Sequence, residues 1–365
     1  MAEITTPTVA AIYEWWRQRG TAEKARRYLG ASTIGEACSR KLWYRFRWAL
    51  QENHPGRLYR LFNRGHREEP VFAEELRGIG AAVWEFGEDG QQFGVSFCGG
   101  HFRGHCDGVA QGLPEAPKTP HLLEFKTHSS ESFNELRNKG VREAKPVHYD
   151  QMQIYMHGLE LTRALYLAVN KDTDELYSER LEYSQSHALA IIARAESIIA
   201  ANEPPPRCSD NPAYYLCKMC EFAPICHGQQ MPCVNCRTCT HSTPDMKNDD
   251  GRWICALAEQ DIPDDVQYIG CDMHLYIPAF LQARNASVAD ASPEENWIEY
   301  VLENGKSFRN GPRDDDRRPE SGMFDSWEIR AACADGDLSL LTDAELNQIR
   351  EKFSARVGEA EHADA

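Results

Sequence analysis

No apolar run in the sequence approaches the eighteen or more residues of a membrane-spanning helix, and 26% of its 365 residues are charged. The first ten residues lack the basic and then apolar profile of a secretory signal. Internal repeats are also absent, which excludes repeat architectures. We therefore expect a soluble cytoplasmic protein of two or three ordinary domains, with no membrane partner.

Basic residues are in the minority, with 40 Lys and Arg against 56 Asp and Glu and a formal net charge of −16. A strongly acidic chain is at first sight a poor partner for nucleic acid. The acidic residues are concentrated in the last third of the chain, because residues 231–365 hold 27 acidic and 13 basic residues. Residues 1–67 reverse the sign, with 13 basic and 5 acidic residues. The charge therefore does not exclude nucleic acid from the first two thirds of the chain.

Basic and aromatic residues alternate in one short segment near the N-terminus. Arg40, Lys41, Arg45 and Arg47 are interleaved with Trp43, Tyr44, Phe46 and Trp48. Such a segment is typical of a surface that meets a phosphate backbone and its bases. It is equally typical of an amphipathic helix with aromatic residues in the core and arginines on a solvated face.

The hydrophobic pattern changes along the chain from helical to alternating and back. Helical runs are predicted at Val9–Arg19, Ala22–Leu29, Ser39–Leu50 and Arg64–Gly78, and strands of one sheet between residues 81 and 126, with a loop at Gln111–Pro120. A polar, mobile segment is expected at Thr127–Lys145, then a helix at Pro146–Leu159, strands at Leu161–Asn170 and Glu175–Tyr183, and a helix at Ser184–Ala201. Asn304-Gly305 predicts a hairpin, and Thr342 or Asp343 a helix cap.

These patterns predict an α/β protein of four regions. They are a helical N-terminal region (1–80), an α/β core ending in a first group of cysteines (81–230), a cysteine-rich zinc-binding module (231–282) and a small, acidic α+β C-terminal module (283–365).

Carboxylates on or beside two predicted strands form the strongest catalytic signal. Residues i and i+2 of a strand share a face, so Glu124 and Lys126 project together. A Glu-x-Lys tripeptide alone is common on exposed strands, but here Asp107 lies beside the preceding strand. Asp107 and Glu124 can hold a Mg²⁺ or Mn²⁺ ion, and the Phe125 carbonyl can add a third oxygen. Lys126 can orient the attacking water or stabilise developing charge. The pattern predicts a metal-dependent phosphodiesterase.

With Gly65-x3-Glu69 upstream and Gln151-x3-Tyr155 downstream, the sequence resembles the PD-(D/E)xK nuclease superfamily over about Ser32–His227. The resemblance is to its RecB-like branch, which includes lambda-type viral recombination exonucleases and CRISPR-associated exonucleases. It implies a restriction-endonuclease-like core, a central mixed sheet flanked by helices. The catalytic residues that it implies are Glu69, Asp107, Glu124, Lys126, Gln151 and Tyr155.

Two of these motifs depend on a four-residue spacing. Some members of the superfamily carry a histidine at the first motif, and His66, Glu68 and Glu69 lie close together here, so the assignment to Glu69 rests on its offset from Gly65. Gln151 and Tyr155 are four residues apart and share a helix face, from which they are expected to reach DNA near the metal.

The first group of cysteines is Cys217, Cys220 and Cys226, which supplies three thiolates where zinc and iron–sulfur sites normally need four. The layout resembles the iron–sulfur staple of RecB-like nucleases, with one cysteine before the core and three after it. That resemblance implies a 4Fe-4S cluster on Cys38, Cys217, Cys220 and Cys226. Cys208 competes for the fourth place, and a zinc site that includes Cys208 is the alternative.

A second group follows at Cys233, Cys236, Cys239, Cys255, Cys271 and His274, six candidates for the four positions of a zinc knuckle. We favour Cys236, Cys239, Cys255 and Cys271 for Zn²⁺, because this choice places two ligands at a turn and one on the returning strand. Cys233 and His274 remain alternatives. A structural role is favoured over DNA reading, because the surrounding residues are acidic.

The sequence as a whole predicts a Mg²⁺- or Mn²⁺-dependent DNA exonuclease acting on single-stranded DNA or duplex ends, from a phage or a bacterial recombination, repair or processing system. The expected compartment is the cytoplasm of a bacterium or phage-infected cell. A sequence-independent endonuclease is one alternative, and a non-catalytic DNA-binding or assembly scaffold is another. The acidic tail is expected to recruit a recombination or single-strand-binding protein, and an oligomer is possible.

Overall fold

The computed structural model describes residues 6–22, 25–51, 53–314, 322–335 and 338–358. The chain forms two units, Met1–Glu36 with Glu52–Ser197, and Ala37–Gln51 with Ile198–Ala365. The boundaries predicted at residues 80 and 230 do not coincide with these units. The predicted N-terminal region is divided, because residues 37–51 belong with the C-terminal half of the chain. We call the two the N-terminal and C-terminal units.

The helices within the described residues are α1 (Pro7–Thr21), α2 (Ser39–Phe46), α3 (Gly56–Gly78), α4 (Ser130–Lys139), α5 (Val141–Ala144), α6 (Pro146–Gly158), α7 (Gln185–Ala200), α8 (Tyr215–Lys218), α9 (Ala223–Cys226), α10 (Pro278–Gln282), α11 (Ser326–Asp335) and α12 (Ala344–Phe353). In this part of the chain no helix is both long and apolar enough to cross a membrane.

The strands described are β1 (Leu29–Gly30), β2 (Ala82–Trp84), β3 (Gly94–Phe97), β4 (Phe102–His105), β5 (Gly108–Gln111), β6 (His121–His128), β7 (Arg163–Asn170), β8 (Leu176–Glu182), β9 (Ser242–Pro244), β10 (Trp253–Cys255), β11 (Gln260–Ile262), β12 (Ala286–Ser292), β13 (Trp297–Leu302), β14 (Ser307–Asn310) and β15 (Met323–Phe324).

The N-terminal unit is built on a five-stranded sheet of order β2-β5-β6-β7-β8. Strands β6 and β7 are parallel and the other neighbours are antiparallel, so the sheet is mixed, as predicted. The strands predicted between residues 81 and 126 do not form one sheet, because β3 and β4 pair with β1 in a separate three-stranded sheet. The described residues of the predicted helix Ala22–Leu29 are not helical; the N–H of Leu29 instead donates to the His101 carbonyl beside β4.

The two faces of the five-stranded sheet carry different chemistry. On one face, Phe72 of α3 packs on Phe125 of β6, with 5.0 Å between ring centroids. The same apolar cluster includes Leu123, Leu165 and Leu167. Because side chains alternate along a strand, Glu124, Lys126 and Tyr166 point to the opposite face. The sheet therefore separates an apolar face under α3 from a polar face.

The segment Thr127–Lys145, predicted to be polar and mobile, is largely helical. Ser129 caps α4 by accepting a hydrogen bond from the N–H of Ser132, and Phe133 and Leu136, three residues apart, are buried. The later predictions hold: α6, β7, β8 and α7 lie within one or two residues of their expected positions. Two buried residues on one helix face explain why this polar stretch is ordered.

The C-terminal unit contains the sheets β11-β10-β9 and β12-β13-β14-β15. The β13–β14 pair forms the predicted hairpin, with Gly305 at φ 77° in its turn, and Asp343 caps α12 through the N–H of Leu346. Helix α2 belongs to this unit because Arg237 is fully buried against it. The Arg237 guanidinium donates to the Phe46 carbonyl and lies 3.5 Å from the ring centroid of Trp48.

Candidate active site and cysteine clusters

Asp107 lies directly before β5, where the pairing of β5 with β6 ends at Gly108 and Leu123. Beyond that point the N–H of Phe125 has no partner on strand β5. It donates instead to Oδ2 of Asp107, at 2.6 Å. Burial raises the pKa of Asp107 above its ordinary value, although the Lys126 ammonium opposes the shift. The hydrogen bond fixes this carboxylate beside the middle of β6.

Glu124 and Lys126 project from the same face of β6, as the alternation predicts. Glu124 is fully buried, and its Oε1 contacts the Lys126 ammonium, which also donates to the Phe125 carbonyl at 3.1 Å. Burial raises the pKa of Glu124 to about 7. Burial alone would lower the pKa of Lys126, but the charges of Glu124 and Asp107 outweigh it and raise the pKa. The three side chains form one electrostatic cluster.

Glu69 on α3 contributes a third carboxylate to this neighbourhood. Its negative charge contributes to raising the pKa of Asp107, Glu124 and Lys126. Oε1 of Glu69 lies 3.1 Å from Nδ1 of His66, which also acts on Asp107. Of the three residues considered for the first motif, Glu69 and His66 therefore lie within electrostatic range of Asp107.

Gln151 and Tyr155 share the face of α6, and the Gln151 amide donates to the Tyr155 hydroxyl at 3.3 Å. Tyr155 is buried, and its ring lies so close to Gly104 that a Cβ there would be 2.7 Å from it. Burial first and then the Glu124 charge raise the pKa of Tyr155. The Tyr155 hydroxyl, which holds the Gln151 amide, therefore lies within electrostatic range of the carboxylates.

Tyr166, which no sequence motif indicated, forms a hydrogen-bonded chain with His128 and His148 within electrostatic range of Lys126. The Tyr166 hydroxyl is 2.8 Å from Nε2 of His128 and 2.9 Å from Nδ1 of His148. Burial, with the Lys126 charge contributing, lowers the pKa of His128 to about 4 and of His148 to about 3, so both rings are neutral. Tyr166 pairs in register with Glu124, so the alternation of β7 was the signal available in the sequence.

The basic aromatic segment does not offer rings to bases. Trp43 is fully buried, with its indole N–H donating to the Ala201 carbonyl at 2.8 Å, and Arg47 is also buried. Lys41 and Arg45 make ion pairs with Glu221. The nucleic-acid interpretation of this segment is therefore wrong, because its aromatic residues are buried and two of its cations are ion-paired.

The first group of cysteines gathers in the C-terminal unit. Sγ of Cys208 lies 3.8 Å from Sγ of Cys217. Partial desolvation, followed by hydrogen bonds to Cys38 and Cys217, raises the pKa of Cys208 to about 12. Burial raises the pKa of Cys220, and the Cys38 thiol adds to that shift. Cys226 ends α9, with its carbonyl accepting from Arg207. The competitor Cys208 thus lies among the thiols of the implied cluster.

The second group brings the four favoured cysteines within electrostatic range of one another. Burial and then the thiols of Cys271 and Cys255 raise the pKa of Cys236 to about 11. Burial, with Cys271 and Cys236 contributing, raises the pKa of Cys239 to about 12. The four residues come from a turn, the end of β10 and the loop before α10.

The alternatives in this group have other partners. His274 is buried, with Nδ1 2.8 Å from the Ser326 hydroxyl and Nε2 3.3 Å from the Thr238 hydroxyl. Both ring nitrogens are therefore engaged. The main-chain carbonyl of Cys233 accepts a hydrogen bond from the Thr238 hydroxyl at 2.8 Å.

In the described part of the chain, no group of three or more His, Cys, Asp or Glu side chains is arranged so that it could hold a metal ion. The carboxylate site would instead use two carboxylates and a main-chain carbonyl. Oε2 of Glu124 is buried and has no hydrogen-bond partner among the described residues. An orphaned carboxylate oxygen in a set of hard oxygen donors fits a divalent cation such as Mg²⁺. The thiols are soft donors of the kind that zinc and iron prefer.

No protein-family model matches the chain, and no curated protein matches it by sequence. Among solved structures, the chain is similar to an alkaline exonuclease, LHK-Exo, from Laribacter hongkongensis, with 16% identity, a TM-score of 0.35 and coverage of 51% of this chain and 91% of that one. LHK-Exo in complex with dAMP gives 17% identity, a TM-score of 0.34 and coverage of 51% and 90%.

A third solved structure, SSO0001, has 15% identity and a TM-score of 0.38, and the match covers 60% of this chain and 96% of that one. All three TM-scores are below 0.5, so these similarities carry no argument about function.

Proposed function

We propose that the chain is a metal-dependent DNA exonuclease that hydrolyses phosphodiester bonds in single-stranded DNA or at duplex ends. The observation that carries the proposal is the convergence of Asp107, Glu124 and Lys126 at the middle of β6. A phosphodiesterase needs carboxylates for a hard cation and a positive side chain for the attacked phosphate. A scaffold that had lost catalysis would have no reason to keep all three.

Asp107, Glu124 and the Phe125 carbonyl are the groups proposed to hold Mg²⁺ or Mn²⁺. When bound, the cation would polarise the phosphate and acidify the attacking water. The Glu124 carboxyl must be deprotonated to act as a ligand, and its pKa of about 7 means that it loses its proton near neutral pH. In mild acid a larger fraction of Glu124 is protonated, so we expect weaker metal binding there.

Lys126 supplies positive charge where negative charge develops during attack. Its ammonium contacts Glu124, which is fully buried, while the Lys126 side chain as a whole is 26% exposed. From there Lys126 can orient the water and stabilise the phosphate oxygens. The Gln151 amide, held by Tyr155, is proposed to contact the DNA backbone. The products would be a 5′-phosphate and a 3′-hydroxyl.

We also propose a 4Fe-4S cluster on Cys38, Cys217, Cys220 and Cys226 as a structural fastening of the C-terminal unit. The gathering of Cys38, Cys217 and Cys220 supports it. Because cluster binding is coupled to folding, its loss should loosen the protein rather than remove a catalytic group. A zinc site that includes Cys208 is the alternative, favoured by the 3.8 Å contact of Cys208 with Cys217. Zn²⁺ is proposed on Cys236, Cys239, Cys255 and Cys271.

The proposed cellular setting is recombination, repair or processing of DNA in a phage or bacterial system. The acidic C-terminal residues are proposed to bind a basic segment of a recombination or single-strand-binding protein, since opposite charges steer association. A homo-oligomer would be compatible with this setting.

The test is degradation of end-labelled single-stranded DNA with Mn²⁺ by anaerobically purified protein. We expect wild type to degrade the strand and Lys126→Ala to lose the activity. Lys139→Ala, which removes an exposed lysine paired with Glu135, is the matched control and should retain it. Equal activity of wild type and Lys126→Ala would overturn the site. A closed circular single strand separates the endonuclease alternative, because an exonuclease leaves it intact.

A further inference from the structure

Helix α3 carries a row of arginines before it reaches the carboxylates. Residues 56–67 contain four arginines and no acidic residue. Arg57, Arg60, Arg64 and Arg67 follow one another at intervals of three or four residues, so they share one helix face. Successive charges on this face recur about every 5 Å, one per helical turn. The face is a linear array of positive charge.

Three of these arginines are available to a ligand. Arg57, Arg60 and Arg67 are exposed, and within the described residues none of their guanidinium groups makes a hydrogen bond or an ion pair. We call these three the basic stripe. Arg64 is the exception, because its guanidinium donates to the Lys171 carbonyl at 2.9 Å. Unpaired exposed guanidinium groups are typical of phosphate recognition.

The contact of Arg64 shows where the basic stripe lies in the N-terminal unit. Lys171 follows β7, and its N–H donates to the carbonyl of His128, the last residue of β6. Because Arg64 shares its helix face with the basic stripe, the stripe lies near the end of the sheet where β6 and β7 terminate. Phe72, Ala73 and Leu76, later in α3, pack on the sheet, so the first three turns of the helix precede the part that covers it.

The same helix connects the basic stripe to the candidate active site. Glu69, two residues beyond Arg67, interacts with Asp107 and Glu124. At 1.5 Å per residue, Arg57 lies about 18 Å from Glu69 along the helix axis. A strand whose phosphate is at the carboxylates thus meets further cations along the adjoining helix.

Exposed rings accompany these cations on α3 and on α1, which packs against it. Tyr13 of α1 approaches Gly56 so closely that a Cβ there would lie within 2 Å of the Tyr13 carbonyl oxygen. Phe62 on α3 is 48% exposed and Trp15 on α1 is 50% exposed. Unpaired bases stack on such rings without regard to sequence, whereas the bases of a duplex are covered. The rings favour a single strand over a duplex.

We propose that the basic stripe, with the exposed rings of α1 and α3, is the binding surface for the single-stranded part of the DNA substrate. This inference rests on the proposed function, because it describes how the nuclease would hold its strand. The occupant is a single strand, because repeated phosphates match the repeated arginines and bases match the rings. An acidic membrane surface is the competing occupant, since α1 also exposes Ile12 beside Trp15.

The test measures binding without cleavage, as fluorescence anisotropy of a labelled oligothymidine in EDTA over a series of salt concentrations. The variant is Arg57→Gln/Arg60→Gln/Arg67→Gln, and the control Lys247→Gln/Lys306→Gln/Lys352→Gln removes the same charge from exposed lysines of the C-terminal unit. Three lost phosphate contacts should reduce the slope of log K against log salt by about 2. Circular dichroism should be unchanged, because the three side chains are exposed.

The outcomes separate the surface from the reaction. Weaker binding with a smaller slope in the stripe variant alone supports the surface. Unchanged binding in that variant, while wild type still degrades DNA, overturns the surface and keeps the proposed function. An equal loss in the control shows a net-charge effect and overturns the surface. Wild type that binds vesicles of anionic lipid but not oligothymidine overturns the single-strand assignment.

Discussion

The Asp107 carboxylate accepts a hydrogen bond from the main-chain N–H of Phe125 at 2.6 Å, so one side chain both closes an open strand edge and supplies a candidate metal ligand. Burial raises the pKa of this carboxyl, which means that its charge is unfavourable for folding in the absence of a cation. The structural and catalytic roles can be separated by removing the charge and keeping the acceptor.

Asp107→Asn should abolish most DNA cleavage without destabilising the protein. The amide oxygen can still accept from Phe125, while the anionic ligand is lost, and a cation contributes several kcal/mol to the transition state, or two orders of magnitude or more in rate. The measurements are the cleavage rate with Mn²⁺ and the urea midpoint in EDTA. Asp107→Ala is the control: it should lose activity and also about 1–3 kcal/mol of stability, because the Phe125 N–H is left unpaired. An Asn variant that cleaves like wild type would exclude Asp107 as a ligand.

The buried histidines beside Tyr166 should make stability depend on pH. The pKa of His148 is about 3 in the folded protein, below the ordinary value of 6.5, because the neutral ring is buried. Between these values the unfolded chain binds more protons, so the contribution of His148 is complete above pH 6.5 and falls as pH decreases toward 3. At pH 5 the loss is about 2 kcal/mol.

Urea unfolding of wild type and His148→Gln at pH 7 and pH 5 measures this contribution. The advantage of wild type over the variant should shrink by about 2 kcal/mol on acidification. Acid-sensitive sites that do not interact with His148 are common to both proteins and cancel in the difference. An advantage that stays constant with pH would show that the ring is not buried in its neutral form.

Much of the candidate site was predictable because its signals are local. Alternation on β6 placed Glu124 and Lys126 on one face, and the four-residue spacing placed Gln151 and Tyr155 on one face of α6. Residues that the site acquires through strand pairing were not predictable. Tyr166 lies beside Glu124 only because β6 and β7 pair in parallel and in this register, across a connection of three helices.

The role of the basic aromatic segment was not predictable either, because it depends on residues that are remote in sequence. Its composition suits a DNA surface as well as a core helix, and the partners that decide the matter are remote in sequence. Glu221 pairs with Arg45, and Arg237 with the Phe46 carbonyl, each more than 170 residues away. Local composition could not reveal these partners.

Trp43→Ala should therefore destabilise the protein and leave DNA affinity unchanged. Trp43 is fully buried and hydrogen-bonded to Ala201, so its truncation should cost about 3–5 kcal/mol. The free energy of unfolding and the oligothymidine Kd are measured below the unfolding transition. Loss of DNA affinity in protein that is still folded would show that this segment contributes to DNA binding.

Substitutions in the second group of cysteines should separate zinc ligands from their neighbours. Cys271→Ser should release zinc, measured as metal per chain by mass spectrometry, because a hydroxyl is a poor replacement for a thiolate ligand. His274→Gln should keep its zinc and lower the melting temperature, since both ring nitrogens are engaged by the hydroxyls of Ser326 and Thr238. Release of zinc by His274→Gln with full retention by Cys271→Ser would reverse the assignment.

The absorbance near 400 nm of anaerobically purified protein decides between Cys38 and Cys208 for the fourth place in the first group. The proposed 4Fe-4S set predicts that Cys38→Ser loses the absorbance and that Cys208→Ser retains it. Cys208 lies 3.8 Å from Cys217, so Cys208→Ser tests the alternative directly. Loss of absorbance in Cys208→Ser with retention in Cys38→Ser would replace Cys38 by Cys208 as the fourth ligand. Wild type that contains zinc and no iron would exclude the cluster, because a zinc site gives no such absorbance.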